Sequence, residues 1–354
     1  MKKFLAMALA LLMVAFLLPV TAMAAEVNVS TYEELKNALK NEGAYVKLTG
    51  SIDTTATLNA GAADVVDAAD NCTIDLNGMT FKANNFAVIF QGKNLTIKNG
   101  KFDANGGSYG LFVGDVGVTQ NVLIEDITIA GGINVYNASD VLLRNVNITG
   151  TNYYAVWCDE AGQVTIESGN FQSNGNAVLG LTTNDSKLDV SGGIFNANNK
   201  PLVLTNGNNY GTPTLTGGSY DTNPLTYTEP AAVVITDSNM QYHIGKAAKE
   251  AMQQGGTFTV VQGNTLQSVP EGVVLKNETG EEITVNGTKV PAGEEITAKK
   301  ASIVVIIPDD TTDTTTTTTG DLANPATGTN DFVSAAVAVA AVSLLGMAAV
   351  LRKK

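Results

Sequence analysis

TIDLNGMTF (73–81), LTIKNGKF (95–102), VLIEDITI (122–129), VLLRNVNI (141–148), VTIESGNF (164–171), LDVSGGIF (188–195) and PTLTGGSY (213–220) are variants of one phrase. Anchored on Leu76, Ile97, Ile124, Leu143, Ile166, Val190 and Leu215, they recur at steps of 21, 27, 19, 23, 24 and 25 residues. Five positions after each anchor stands a large apolar residue: Phe81, Phe102, Ile129, Ile148, Phe171, Phe195 and Tyr220. A repeat in the low twenties is the mark of a solenoid, in which each unit buries its apolar face only against its neighbours.

A second apolar strand falls between the phrases: FAVIF (86–90), YGLFV (109–113), INVY (133–136), YAVWC (154–158), AVLGL (177–181) and PLVL (201–204). Val88, Leu111, Val156 and Leu179 keep nearly the same step. Each period therefore holds at least two short strands bounded by Gly, Asn and Asp, with no room for a crossover helix. That excludes a TIM barrel or a Rossmann sheet. Coiling the chain so that each strand pairs with its copy one turn on gives an all-β fold, a right-handed parallel β-helix.

The segments around the repeats set the domain organisation. Residues 1–24 read as a secretory signal: Lys2 and Lys3, an apolar run from Phe4 to Val20, and Ala22-Met23-Ala24 as cleavage site. The β-helix with its N-terminal cap spans 25–228. Its cap is a helix opened by a capping box at Ser30-Thr31-Tyr32-Glu33, with Leu35, Ala38 and Leu39 on one apolar stripe and a stop at Asn41 to Gly43. Such a helix covers the raw core and unpaired edges of a solenoid end. Residues 229–308 read as a smaller β-rich module: a strand at AAVVI, a helix over Lys246–Gln254, and strands at Thr257–Val261, Val273–Leu275, Ile283–Val285 and Ile303–Ile307. It either closes the solenoid or stands as a separate domain. Residues 309–323 are a Thr-rich linker too poor in apolar residues to fold.

Residues 324–354 hold Asn324-Pro325-Ala326-Thr327-Gly328, an apolar run from Phe332 to Leu351, and Arg352-Lys353-Lys354. A run of that length can span a bilayer with its basic end in the cytoplasm. Without the two lysines of residues 1–24, and without Asp331, Arg352, Lys353 and Lys354, the chain keeps 16 basic and 33 acidic residues, net −17. That balance argues against nucleic acid or an anionic polymer as an electrostatic partner.

TYEELKNALK (31–40), VKLTGSI (46–52) and TIDLNG (73–78), taken together, resemble the opening of the pectin-lyase-like β-helix superfamily. GTFTVV (256–261), VPEGVVL (269–275) and ITVNG (283–287) resemble modules that follow β-helices in wall-bound proteins. The C-terminal order of pentapeptide, apolar span and basic tail resembles the Gram-positive cell-wall sorting signal, in an NPxTG form of LPxTG. That resemblance implies a sortase as partner, cleavage between Thr327 and Gly328, and a covalent link from Thr327 to peptidoglycan on the outer face of the cell. Enzymes of the superfamily act on acidic polysaccharides, with clustered carboxylates or with Ca²⁺ and a basic residue, so each such group is a candidate here.

Arg144 is the only arginine left after processing and the natural lyase base. Yet Lys98, Glu125, Arg144 and Glu167 each follow an anchor by one residue and alternate in sign, as an outward salt-bridge ladder requires. The next column, Asn99, Asp126, Asn145, Ser168, Gly192 and Gly217, has the composition of a polar ladder at a turn. Asp126 with Glu125 and Asp140 is the candidate Ca²⁺ set, and Asp126, Asp140 and Asp159 are the candidate hydrolytic carboxylates. His243, the sole histidine, stands in QYHIG with no partner recognisable nearby. Cys72 and Cys158 lie about three rungs apart, ~14 Å along the axis, beyond the reach of a disulfide. Both are expected as free thiols, Cys158 pointing inward. Alternation through YYAVWC puts Tyr154, Val156 and Cys158 inside, and Tyr153 and Trp157 outside, where aromatic side chains stack on sugars or anchor a protein partner. The balance favours a non-catalytic wall-displayed binder of a glycan or host surface protein. The alternatives are a lyase or glycoside hydrolase for an acidic polysaccharide, and a structural surface spacer.

Overall fold

The computed structural model describes residues 26–114, 119–181, 183, 185–205, 211 and 213–299. The signal segment, the strand expected at Ile303–Ile307, the linker, the pentapeptide Asn324 to Gly328 and the apolar run from Phe332 lie outside them. No helix among the described residues is long and apolar enough to cross a membrane.

The chain coils into a parallel β-helix. Strand after strand of the repeated phrase pairs in parallel with its copy in the next coil, from Tyr45–Leu48 through Thr214–Leu215. Each full coil carries three strands, one more than the minimum of two that the spacing requires. The phrase itself bends in the middle, at Asn99 (φ +59°), Asp126 (φ +54°) and Asn145 (φ +50°). Asn and Asp enter this left-handed region more readily than other side chains, so one residue turns the strand onto a second face. The third face is the separate sheet running from Asp64–Asp67 through Val88–Gln91, Tyr109–Gly114, Gly132–Tyr136, Tyr154–Asp159 and Ala177–Leu181 to Val203–Thr205.

Two columns fill the interior beneath the phrase. Ile74, Ile97, Ile124, Leu143, Ile166, Val190 and Leu215 are in register and buried. The first member is Ile74 and not Leu76. Two extra residues separate it from Phe81, and Asp75 receives the Asn77 amide at 2.8 Å to make the wider bend. The second column, Phe81, Phe102, Ile129, Ile148, Phe171, Phe195 and Tyr220, is in register as the spacing predicts. Its last rings lie nearly parallel, Phe171 on Phe195 at 5.1 Å and Phe195 on Tyr220 at 4.9 Å. Each side chain so buried contributes roughly 1.5–3 kcal/mol. Cys158 lies inside between Val135 and Leu181, and both cysteines are buried free thiols.

Outward corners are held by amides. Asn121 donates to Asn94 at 3.0 Å and Asn94 to Asn71 at 2.9 Å, all three with positive φ. Each bond ties one coil to the next at the point where the backbone turns.

Both ends are covered. At the N-terminus, α1 (Tyr32–Ala38) buries Leu35 and Ala38 in the solenoid core, together with Leu39 just beyond it. Its cap is Thr31 with Glu34, one residue later than the sequence reading. The Thr31 hydroxyl accepts from the Glu34 amide at 3.2 Å, and Glu34 reaches back to the Ser30 amide at 2.7 Å. At the other end the parallel ladder stops at Gly218–Tyr220, which pairs antiparallel with Tyr242–Ile244. The sheet continues through Val234–Thr236, Thr257–Gln262, Val274–Asn277 and Glu295–Thr297. Over it lies α2 (Lys246–Gln253), burying Ala248 and Met252 against a second core cluster that includes Phe258, Val260 and Leu275.

Candidate functional site

Arg144 is placed between two carboxylates. Its Nε lies 2.7 Å from Glu167 and its Nη1 3.6 Å from Glu125. The bond to Glu167, with the charge of that carboxylate and of Glu125, raises the pKa of the guanidinium further. Lys47, Asp75 and Lys98 continue the same column toward the N-terminus, so the alternation of sign runs over six successive coils. Asp75 is also tied to Tyr45 at 2.6 Å.

The candidate carboxylates are scattered. Asp126 accepts from Asn145 at 2.7 Å. Asp140 lies opposite Asn121 in the strand register, five residues from Asp126, or about 16 Å along the strand direction. Asp159 stands on the third face. The geometry brings no two of these three together, and no group of three or more metal-ligating side chains occurs among the described residues. His243 does have neighbours that the sequence did not show. Its Nδ1 is 2.9 Å from the Ser219 hydroxyl across an antiparallel pair, and its Nε2 is 3.4 Å from Asp237. The ring sits 7% exposed on the sheet at the junction between solenoid and end module, bonded to Ser219 on one side, while its Nε2 makes no hydrogen bond among the described residues.

Tyr153 and Trp157 belong to something larger. On the outer side of the third sheet, Trp157 lies 5.3 Å from Tyr109, 5.7 Å from Tyr153 and 6.5 Å from Phe86. Phe86 in turn lies 5.5 Å from Phe112, and Phe112 6.1 Å from Tyr136. The rings are drawn from three neighbouring coils and the corner before them. All but Tyr109 are half-buried, so each presents part of its surface to solvent while packed on the next. The patch corrects the placement of Tyr154. Its ring packs 4.3 Å from Tyr153 and 6.0 Å from Trp157, with this outer cluster rather than the core. The sheet makes room for it: a Cβ on Gly180, the residue opposite Trp157, would meet the Tyr154 ring at 2.6 Å.

Two features mark the patch as more than leftover apolar surface. Phe86 has a φ of +54°, a region that bulky residues avoid and that costs on the order of 1–3 kcal/mol. The chain holds that backbone while its ring rests against three others. Asn134 lies between Phe112 and Trp157 in the strand register and is 1% exposed. Its Nδ2 reaches Asp159 at 3.4 Å, but its Oδ1 has no hydrogen-bond partner. A buried unsatisfied acceptor costs about 1–3 kcal/mol. Strain and an unmet polar atom at one spot are what functional surfaces, more than cores, retain. Asp159 and the exposed Glu160 give the rim negative charge.

Only Tyr153 and Trp157 were visible from local alternation. Phe86, Tyr109, Phe112 and Tyr136 come from other periods, and a register shift between Gly132 and Ile133 hides their alignment. Aligning YGLFV with YAVWC sets Phe112 beside Trp157, whereas INVY between them offers Asn134 there, and Tyr136 has no aromatic counterpart. No family model, curated protein or solved structure matches the chain, so the geometry carries the functional argument.

Proposed function

We propose that this protein is displayed on the wall of a Gram-positive cell and binds a glycan through the aromatic patch without cleaving it. The observation that carries the reading is the cluster of Phe86, Tyr109, Phe112, Tyr153 and Trp157 on one outer face, kept at the expense of a left-handed Phe86. Aromatic faces bury the C–H surface of pyranose rings while sugar hydroxyls stay in water, which suits half-buried rings on an open sheet. Against catalysis stand the engagement of Arg144 by Glu125 and Glu167 and the separation of Asp126 from Asp140. The likeness of the opening to pectin-lyase-like proteins is then one of scaffold. Wall attachment rests on the resemblance of Asn324 to Lys354 to a sorting signal, with a sortase joining Thr327 to peptidoglycan.

The test is to incubate the purified protein with host mucin glycans, plant polysaccharides and wall polymers, following retained protein and polymer length together. Retention on at least one intact polymer, weakened about tenfold or more by Trp157→Ala, supports the proposal. Shortening of any polymer overturns it in favour of an enzyme. Retention on none of the polymers overturns glycan binding and leaves the patch to a protein partner. For the address, Thr327→Ala is expected to move the protein from the wall fraction to membrane and medium.

A further inference from the structure

Phe112, Asn134 and Trp157 are consecutive members of one outward column. Neighbouring strands of a ladder lie about 4.8 Å apart, so Phe112 and Trp157 are separated by roughly 9.6 Å along the solenoid axis. That separation is close to the repeat of a disaccharide in an extended β-1,4-linked chain, where every second sugar presents the same face. An α-1,4-linked chain curls and does not keep it. Phe86 stands between the two rings, nearly perpendicular to both at 79° and 72°. It packs its ring against both, 5.5 Å from Phe112 and 6.5 Å from Trp157, and so holds the two in place. The charge around the patch selects further. The rim carries Asp159 and Glu160, and the whole chain has a net charge of −13. Both disfavour a polymer of uronic acids.

Resting on the glycan-binding reading above, we infer that the patch takes a neutral β-1,4-linked pyranose chain laid along the solenoid axis, with sugars two apart on Phe112 and Trp157. Glucose-type and N-acetylglucosamine-type chains share this geometry. The axial direction follows from the column, and neutrality from the rim. The inference differs from the acidic substrates that the scaffold's resemblance alone would suggest.

The experiment titrates the full chain with β-1,4-linked hexamers of glucose and of N-acetylglucosamine, their monosaccharides, an α-1,4-linked glucose hexamer and an oligogalacturonate. At least one β-1,4 hexamer is expected to bind about tenfold or more tighter than its monosaccharide, the α-linked hexamer and the oligogalacturonate. Comparison of the two hexamers identifies the source. Phe112→Leu and Trp157→Leu, which keep apolar cover on the sheet, are each expected to reduce the hexamer's advantage to within a few-fold of the monosaccharide. Equal binding of hexamer and monosaccharide, or of the α-linked hexamer, overturns the inference. So does equal or tighter binding of the oligogalacturonate. In those cases glycan binding itself survives. Failure to bind any carbohydrate removes both readings.

Discussion

Phe86 and Asn94 occupy the same left-handed region, at φ +54° and +53°, for different reasons. Asn94 belongs there, because its short amide suits the conformation and bonds Asn71 below and Asn121 above. Asn94→Ala is expected to lose about 1–2 kcal/mol in denaturant unfolding, from the backbone preference and the broken chain of amides together. Phe86 is held there by its neighbours. Phe86→Ala and Phe86→Asn both delete the ring, but Asn accepts the backbone, so the Asn variant is expected to be the more stable by about 1 kcal/mol. Equal melting of the two would show that the strain is absent. The pair Tyr45 and Asp75 brings a pH dependence. Burial would raise the Asp75 pKa, but the Tyr45 hydroxyl, the Asn77 amide, Asn99 and the charge of Lys98 outweigh it and hold the carboxyl below its ordinary value. A depressed carboxylate contributes stability above its unfolded pKa, near 3.9, and loses it as pH falls through the folded value. The partner phenol, pushed up to about 12 by its bond to Asp75, contributes stability below its unfolded pKa, near 10, and loses it as pH rises toward the folded value. Melting temperature against pH is expected to fall at both edges, and Asp75→Asn to flatten both.

At the scale of a strand, the aromatic column and the charged column differ sharply in weight. Phe195 is fully buried between Phe171 and Tyr220, so Phe195→Ala is expected to cost about 3–5 kcal/mol in unfolding free energy. Arg144→Ala should barely move the melting temperature, because exposed pairs contribute little, and should leave ligand binding unchanged. Both columns were legible in the sequence, since a side chain one rung on recurs after one period whatever the loop between. The strand count per coil was legible only as a lower bound of two. A single left-handed Asn or Asp divides the phrase into two faces. The polar column through Asn99, Asp126 and Asn145 marked that turn, but one residue is too short a break to separate two strands by spacing alone. For the same reason the anchor Leu76 displaced Ile74, because the Asn77-Gly78 insertion lengthens the first phrase and local spacing alone cannot assign its register. The aromatic patch was legible in two of its rings. Its others are neighbours only across coils, and the shift at Gly132 breaks the count that would align them.

For the molecule as a whole, stability is a sum over coils and the interfaces between them, bounded by two different ends. The N-terminal end depends on a single short helix. Replacing Leu35 and Leu39, both fully buried, with Asp is expected to fray the first coils and raise amide exchange over Tyr45–Leu48 before it reaches Tyr154–Asp159. Uniform loss of protection along the solenoid would show instead that it unfolds as one unit. The C-terminal end is closed by a strand running the other way, Tyr242–Ile244 against Gly218–Tyr220, which gives the parallel stack a fixed last rung. A stack with a fixed end measures distance. Any coil gained or lost between Trp157 and that rung raises or lowers the patch by about 4.8 Å and leaves both the patch and the end module intact. The number of repeats is therefore a ruler, setting in whole steps how far along the solenoid the patch stands from the end module.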